Sequence, residues 1–312
     1  MQRLHSLICL IAGGCLFLLV FPGCEKEAVV EPPTAGIFRS IVGKQVAFTA
    51  LTLHADEWLW DFGDGSTSTE QNPVHVYGSG GVYNITLTAS NGMGSANATT
   101  QVSLDLSPIE MLTGGANAPN GKTWKISAAH SEHDAIALAN ADFTVIQEVP
   151  AGALGLFLGL GEEYEDTFTF RADGGYVHDN KNGGSFGGLV FGVVNQVDIV
   201  NVTEESQSFG FASLAYTPEA NATFTYTESE DFTVTVVSQA DGETTGDITY
   251  EDVSTLDFSG TEFIGFMDFH RKCIIQEISP EKMRLAMFMS ATQGAHFNKP
   301  SLVVIFTFDA VQ

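Results

Sequence analysis

The stretch Trp60-Asp61-Phe62-Gly63-Asp64-Gly65 constrains this chain most, because it reads as strand, tight turn, strand. Trp60 and Phe62 share parity, so a pleated strand places both on one face, as period-two burial requires. Asp64-Gly65 is a dipeptide that a two-residue primed turn prefers, since glycine tolerates positive φ. The chain resumes as Val74-His75-Val76-Tyr77 and then as Gly81-Val82-Tyr83-Asn84-Ile85-Thr86-Leu87-Thr88-Ala89. Val82, Ile85, Leu87 and Ala89 supply a further strand around a small sandwich core. Composition agrees: 32 Gly and 23 Phe, many Thr and Val, and few long helical stretches favour an all-β chain.

These motifs resemble the PKD domain, an immunoglobulin-like β-sandwich module of bacterial and animal cell surfaces, over roughly residues 28–105. The resemblance implies a spacer that holds something else away from a surface, which places the function after residue 108. Ser107-Pro108 marks the boundary, because proline ends strand pairing. The expected organisation is a 1–23 leader, a 24–34 tether, a 35–106 sandwich and a 110–312 β-rich domain with no internal repeat.

Arg3 and the apolar run Leu7–Phe21 form a signal-like leader, too short for a comfortable membrane span. It ends at Gly23-Cys24, which resembles a lipoprotein signal-peptidase site and would leave Cys24 as the lipidated first residue. Glu25-Lys26-Glu27 resembles the acidic signal that sends lipoproteins of some Gram-negative bacteria to the outer face of the outer membrane. Cys9 and Cys15 leave with the leader, so Cys273 stands alone and no intramolecular disulfide framework forms. Cys273 sits in a strand-like segment, Ile274-Ile275 following it, and reads as a buried, inert thiol.

The formal charge is −25, with 13 Lys plus Arg against 38 Asp plus Glu. Nucleic acid and anionic lipid would both be repelled. Membrane contact is thus expected through the lipid anchor alone, and a glycan ligand would be neutral. Four Asn-x-Ser/Thr sequons, at Asn84, Asn97, Asn201 and Asn221, mark only polar strands or loops.

The C-terminal part opens Gly114-Gly115, then Lys122-Thr123-Trp124-Lys125-Ile126. Later come Thr167-Phe168-Thr169-Phe170 and Asp173-Gly174-Gly175-Tyr176, a hairpin with phenylalanines alternating on one face. This order resembles the lipocalin-like or sandwich (jelly-roll) domain that follows a PKD module in surface lipoproteins of starch-utilisation-like systems. That resemblance implies a non-catalytic protein that binds polysaccharide beside a TonB-dependent outer-membrane importer. Such members often carry extra tryptophans before the hairpin; here the interval Ala151–Gly161 has none and is eleven uncharged residues rich in Gly and Leu. It is expected either to be buried or to contact an apolar ligand or partner.

Sugar binding needs an aromatic face with polar groups beside it. Tyr164, Tyr176, Tyr216 and Tyr226 each offer a ring and a hydroxyl, and Trp124 a larger ring whose simpler role is core packing. No cofactor is required. A Ca²⁺ site would draw on Glu165, Asp166, Asp173 and Asp179, with Glu162, Glu163 and Asn180 nearby, although the spacing matches no EF-hand. His130 and His133 lie three apart with no third ligand in sequence. Glycosidase chemistry needs two converging carboxylates, and serine hydrolases a nucleophile elbow; neither pattern stands out. The alternative to glycan capture is a structural or protein-interaction lipoprotein. Exposed aromatics on the C-terminal domain would favour the first, an exposed apolar patch the second.

Overall fold

The computed structural model describes residues 31–311. The leader, Cys24 and most of the 24–34 tether lie outside those residues. Strands dominate both domains.

The N-terminal domain holds β1 (Ile37–Val42), β2 (Gln45–Ala50), β3 (Glu57–Asp61), β4 (Thr67–Ser68), β5 (Val74–Val76), β6 (Gly81–Asn91) and β7 (Gly94–Leu104). They form two sheets, β1-β2-β5 and β4-β3-β6-β7. Val46, Phe48, Trp60, Phe62, Tyr77, Ile85, Leu87 and Val102 fill the space between them, and Tyr83 takes the inward place expected of Val82, which has the opposite parity to Ile85 and is exposed. The Trp60 indole N–H donates to Glu70 O at 3.0 Å and the Tyr77 hydroxyl to Phe62 O at 3.1 Å, so both large rings are buried without orphaning a polar atom. The turn after Trp60 is longer than its dipeptide suggests. Asp61 pairs with Thr67, and Phe62 N donates to Ser66 O. The carboxylates of Asp61 and Asp64 accept from Gly63 N and Ser66 N, each holding one half of the loop. Gly63 is obligatory, since at φ 78° a Cβ would sit 2.5 Å from Asn84 O.

The C-terminal domain begins with helix α1 (Pro108–Thr113), with Pro at its first turn and a Ser107–Glu110 capping box. Its strands and short helices are β8 (Lys122–Ile126), β9 (Ala135–Leu138), β10 (Val145–Glu148), α2 (Ala153–Leu156), β11 (Thr167–Phe170), β12 (Tyr176–Asp179), β13 (Gly184–Gly188), α3 (Leu189–Asn195), β14 (Ile199–Asn201), α4 (Glu204–Ser208), β15 (Phe211–Ala215), β16 (Phe224–Val237), β17 (Thr245–Phe258), β18 (Cys273–Ile278), β19 (Lys282–Met289) and β20 (Leu302–Ala310).

The main sheet runs β12-β11-β8-β20-β19-β18-β17-β16. β16 to β20 are each neighbours of the next, β8, β11 and β12 likewise, and the last strand, β20, returns to β8. The sheet does not close into a barrel: β12 and β16 meet only at the Gly175–Thr223 bridge. β20 is its pivot, pairing β19 along one side and, on the other, β9 over Leu302–Ile305 and β8 over Phe308–Ala310. Thr307 falls in the gap between those two partners. Its backbone N–H and hydroxyl both donate to Asp134, at 2.9 and 2.6 Å, so a carboxylate replaces the missing strand.

Both faces of β19 and β20 are buried. Met283, Leu285, Met287, Val304, Phe306 and Phe308 face the main core with Trp124, Phe168 and Phe170. Ala286, Phe288, Val303 and Ile305 face a second core. The long β16–β17 hairpin reaches both, because register shifts around Glu230 bend it. Phe224 and Leu256 pack in the main core, Val234 and Tyr250 in the second. Between β12 and β16 the chain inserts a small β13-β15-β14 sheet with α3 and α4.

Glu110 joins the two domains. One carboxylate oxygen takes Lys44 Nζ at 2.8 Å and Gly80 N at 3.1 Å from the N-terminal domain; the other takes Ser107 N and Oγ at 2.8 and 2.6 Å. Burial alone would raise its pKa, but the Lys44 ammonium and the donors from Ser107 and Gly80 outweigh that and hold the carboxyl at about 2. Substituting Glu110→Ala orphans the Gly80 N–H and frees Ser107, at a cost of about 1–3 kcal/mol. The expected result is two domains that tumble with separate NMR correlation times, where the wild-type pair shares one. Unchanged, shared tumbling would show that the clasp is not what couples them.

Candidate functional site

One end of the C-terminal domain is hollow. A groove of about 880 Å³ opens between the β9–β10 hairpin, α3, the turn after α4 and the loop around residues 291–297. Its polar lining consists of Gln147, Gln207, Gln239, Gln293 and Ser208, and its aromatic lining of Phe209 and Phe297. No Asp, Glu, Lys, Arg or His side chain lines it, in a chain of formal charge −25. An apolar annex of about 200 Å³ adjoins it, walled by residues of the Ala151–Gly161 run and by Phe209, Phe211 and Phe306. Ile136, Gln147 and Phe209 line both spaces.

Local chemistry holds these walls in place. Thr203 caps α4 by accepting Ser206 N at 3.0 Å, and its hydroxyl donates to Leu158 O at 2.8 Å. Asn201 Nδ2 donates to Gly159 O at 2.8 Å. Two carbonyls of the glycine-rich run are thereby satisfied from the α4 side. Gly159 is required at this approach: at φ 68° a Cβ would lie 2.6 Å from Thr203 Cγ2. Leu189 N donates to Gly210 O at 2.8 Å, tying the start of α3 to the turn that presents Phe209.

The other side of the run is fixed by a buried polar chain. Leu154 N donates to the Tyr164 hydroxyl at 3.0 Å, which lies 2.7 Å from His130 Nε2; His130 Nδ1 lies 2.8 Å from Asp134 Oδ2. With His130 neutral, the chain is satisfied when Nδ1 carries the proton and Nε2 accepts from Tyr164. Burial would raise the Asp134 pKa, but hydrogen bonds from His130, Ser131 and Thr307 hold it below the ordinary value. The same carboxylate that completes β20 therefore anchors the annex floor. The run itself is part core and part surface: Ala153, Leu154, Leu158 and Leu160 are buried, whereas Leu156 is 80% and Phe157 57% exposed.

The structure does not assemble the aromatic platform expected from sequence. Trp124 is fully buried, its indole N–H donating to Leu112 O at 2.9 Å. Tyr164 is buried with its hydroxyl consumed in the chain just described, and Tyr176 is buried with its hydroxyl on Phe263 O. Tyr216 is half-buried against His178 and Phe263, and half-buried Tyr226 lies on β16. None of the five lines the groove. The proposed calcium ligands do not form one cluster: Asp166 and Asp179 lie near enough for their charges to interact, whereas Asp173 is at the far end of the hairpin. Asp173 caps its own turn through Gly175 N, while Asp179 sits at the opposite end of that hairpin, paired with Thr167 in register and with Lys181 by charge. Glu165 is exposed and Asp166 buried. Among the described residues no three His, Cys, Asp or Glu side chains converge as a metal site. His130 is buried, but His133 points to solvent beside Glu132. Burial raises the Cys273 thiol to about 12, which keeps it protonated.

Sequence reasoning missed the four glutamines, which come from four separated segments with no motif among them. The nearest signal was the uncharged run Ala151–Gly161, which walls the adjoining annex.

Three buried acids in this domain carry a pH signature: Glu163, raised by burial, together with Asp166 and Asp268. Burial, and then the charge of Glu163, raise Asp166 to about 8; burial raises Asp268 to about 7. Folded pKa values above the unfolded ones mean the folded state binds more protons, so this stability is complete at low pH and is lost as pH climbs toward 8. His270, lowered by burial and then by Lys299, works in the opposite sense as pH falls below 6.5. Melting temperature is expected to fall by several degrees from pH 5 to pH 8.5, at roughly 2–4 °C per kcal/mol. Asp166→Asn should remove much of the fall; an identical fall in the variant would contradict the assignment.

Residues 31–105 match the family model of the PKD domain. The chain is 35% identical over 85 residues to collagenase ColA of Bacillus cereus, a match covering 24% of this chain and 9% of that protein. A microbial collagenase of Vibrio alginolyticus is 55% identical over 42 residues, 13% of this chain and 5% of the relative. The chain thus spans under a tenth of the length of these curated relatives. Among solved structures, the PKD1 domain of Vibrio cholerae metalloprotease PrtV is 32% identical, covering 23% of this chain and 96% of that domain at a TM-score of 0.23. A structure of carbohydrate-binding modules from the β-sandwich superfamily covers 90% of this chain and 96% of its own at 12% identity, with a TM-score of 0.25. At such scores the architecture of the C-terminal domain rests on its own strand order. Residues 31–105 are an immunoglobulin-like PKD domain, and an all-β domain of different topology follows it.

Proposed function

We propose that this chain is a non-catalytic binding protein whose C-terminal domain captures a neutral, hydroxyl-rich polymer, a polysaccharide, in the glutamine-lined groove. One observation carries the proposal: a groove of about 880 Å³ in a strongly acidic chain is lined by four amides, two phenyl rings and aliphatic side chains, and by no charged group. Amides donate to and accept from hydroxyls without a formal charge to desolvate, and phenyl faces take the C–H patches of a sugar ring. Glycoside hydrolysis would need two carboxylates across the bond, and the groove lining supplies none. The PKD domain serves as the spacer, made stiff by the Glu110 clasp. Lipid on Cys24 would hold the pair at the cell surface, and an outer-membrane importer would receive the polymer.

A second reading, capture of a protein partner, draws on the exposed apolar rim, where Ile146, Leu156, Phe157 and Val193 are each more than half exposed. Affinity electrophoresis of the chain from Glu25 to Gln312 through neutral and acidic polysaccharides separates the two. Retardation by a neutral polymer is expected, weakened about tenfold or more in Gln207→Ala/Phe209→Ala, which removes an amide and a ring. The same retardation should survive removal of the PKD domain. No retardation by any polymer, or retardation that the double variant leaves intact, would contradict the proposal.

A further inference from the structure

The annex beside the groove is unlike the groove itself. Its floor is made of Leu154, Phe211 and Phe306, all buried, and its mouth is flanked by Phe157 and Phe209, 57% and 45% exposed. Its polar lining is limited to Gln147 and Glu148. A water there would find few hydrogen-bonding partners, so the space favours an apolar occupant. At about 200 Å³ the space is large enough for a small apolar group and too small for a second sugar-sized ring system. The annex is not a separate site, because Ile136, Gln147 and Phe209 belong to both walls. A ligand bound at Gln147 and Phe209 therefore touches both spaces.

We infer that the ligand is amphipathic: a neutral, hydroxyl-rich chain carrying a small apolar substituent, the polar part on the glutamines and the substituent in the annex. This rests on the groove being the ligand site. It also gives the Ala151–Gly161 run a role. A charge-free segment with Ala153 and Leu154 turned inward and Phe157 outward builds a socket that closes over an apolar group. The buried Tyr164–His130–Asp134 chain keeps that socket from collapsing into the core beneath it.

Calorimetric titration of the two-domain chain with methyl, butyl, hexyl and octyl glucosides, each below its micelle concentration, tests this, with the matching n-alkanols and phenyl glucoside as further arms. Affinity is expected to climb about fourfold per methylene until the annex is full, then level off. Ala153→Phe, which fills the annex, should flatten the climb. Should that variant fail to fold, Phe157→Ala keeps the test alive, since it removes only an exposed mouth ring and should reduce the climb. Phenyl glucoside binding more tightly than hexyl glucoside would mark the substituent as aryl, and the reverse as alkyl; either supports the inference. Affinity independent of chain length, or a climb that persists in Ala153→Phe, overturns the inference while leaving polysaccharide retardation as the separate test of the groove. Alkanols binding as tightly as their glucosides would show that the amides contribute nothing, and would overturn the groove reading as well.

Discussion

The C-terminal domain depends on β20, the last strand made and the one in the middle. It pairs with three strands, is buried on both faces, and carries Leu302 and Phe306 into the walls of the groove and annex. Its one break in pairing, at Thr307, is repaired by Asp134, and Asp134 in turn orients His130 and through it Tyr164 and the 154 backbone. Removing that carboxylate would orphan a backbone donor in the centre of the sheet and release the annex floor together. A sheet completed by its final strand relies on contacts distant in sequence, and such topologies fold slowly.

How much of this was legible depended on whether the signal was local. The PKD domain was legible because its turn, its buried ring and its alternating strand lie within a few residues of one another, although the Asp61–Thr67 pairing made the turn longer than the Asp64-Gly65 dipeptide implied. The Phe168/Phe170 hairpin was legible for the same reason. β19 and β20 were not, in their roles: Met283–Met289 and Leu302–Phe308 are apolar at nearly every position because each face meets a different core, and that erases the period-two signal. The tyrosines misled because chemistry cannot be separated from direction in a sequence. Tyr176 pairs with Phe170 in register and shares its inward face. The glutamines that do line the groove are brought together only by the topology.

Charge is sorted by depth in a way that composition hides. The groove excludes charged side chains altogether, while a few acids are buried where they hold structure. Glu110 uses both oxygens to lock the PKD domain to the next, and Asp134 completes a strand. Asp166 and Asp268 are the costly cases, held toward their protonated forms by burial. The proposed capture role draws on the Glu110 clasp between the domains and on a groove whose lining carries no charge.

The most direct test of the groove as the binding site is hydrogen–deuterium exchange of the chain with and without the polysaccharide that retards it. Slowed exchange should concentrate in residues 145–157, 189–210 and 291–297, leaving the PKD domain unchanged. Protection confined to the PKD sheets, or spread over the β16–β17 hairpin with none at the groove, would contradict the account.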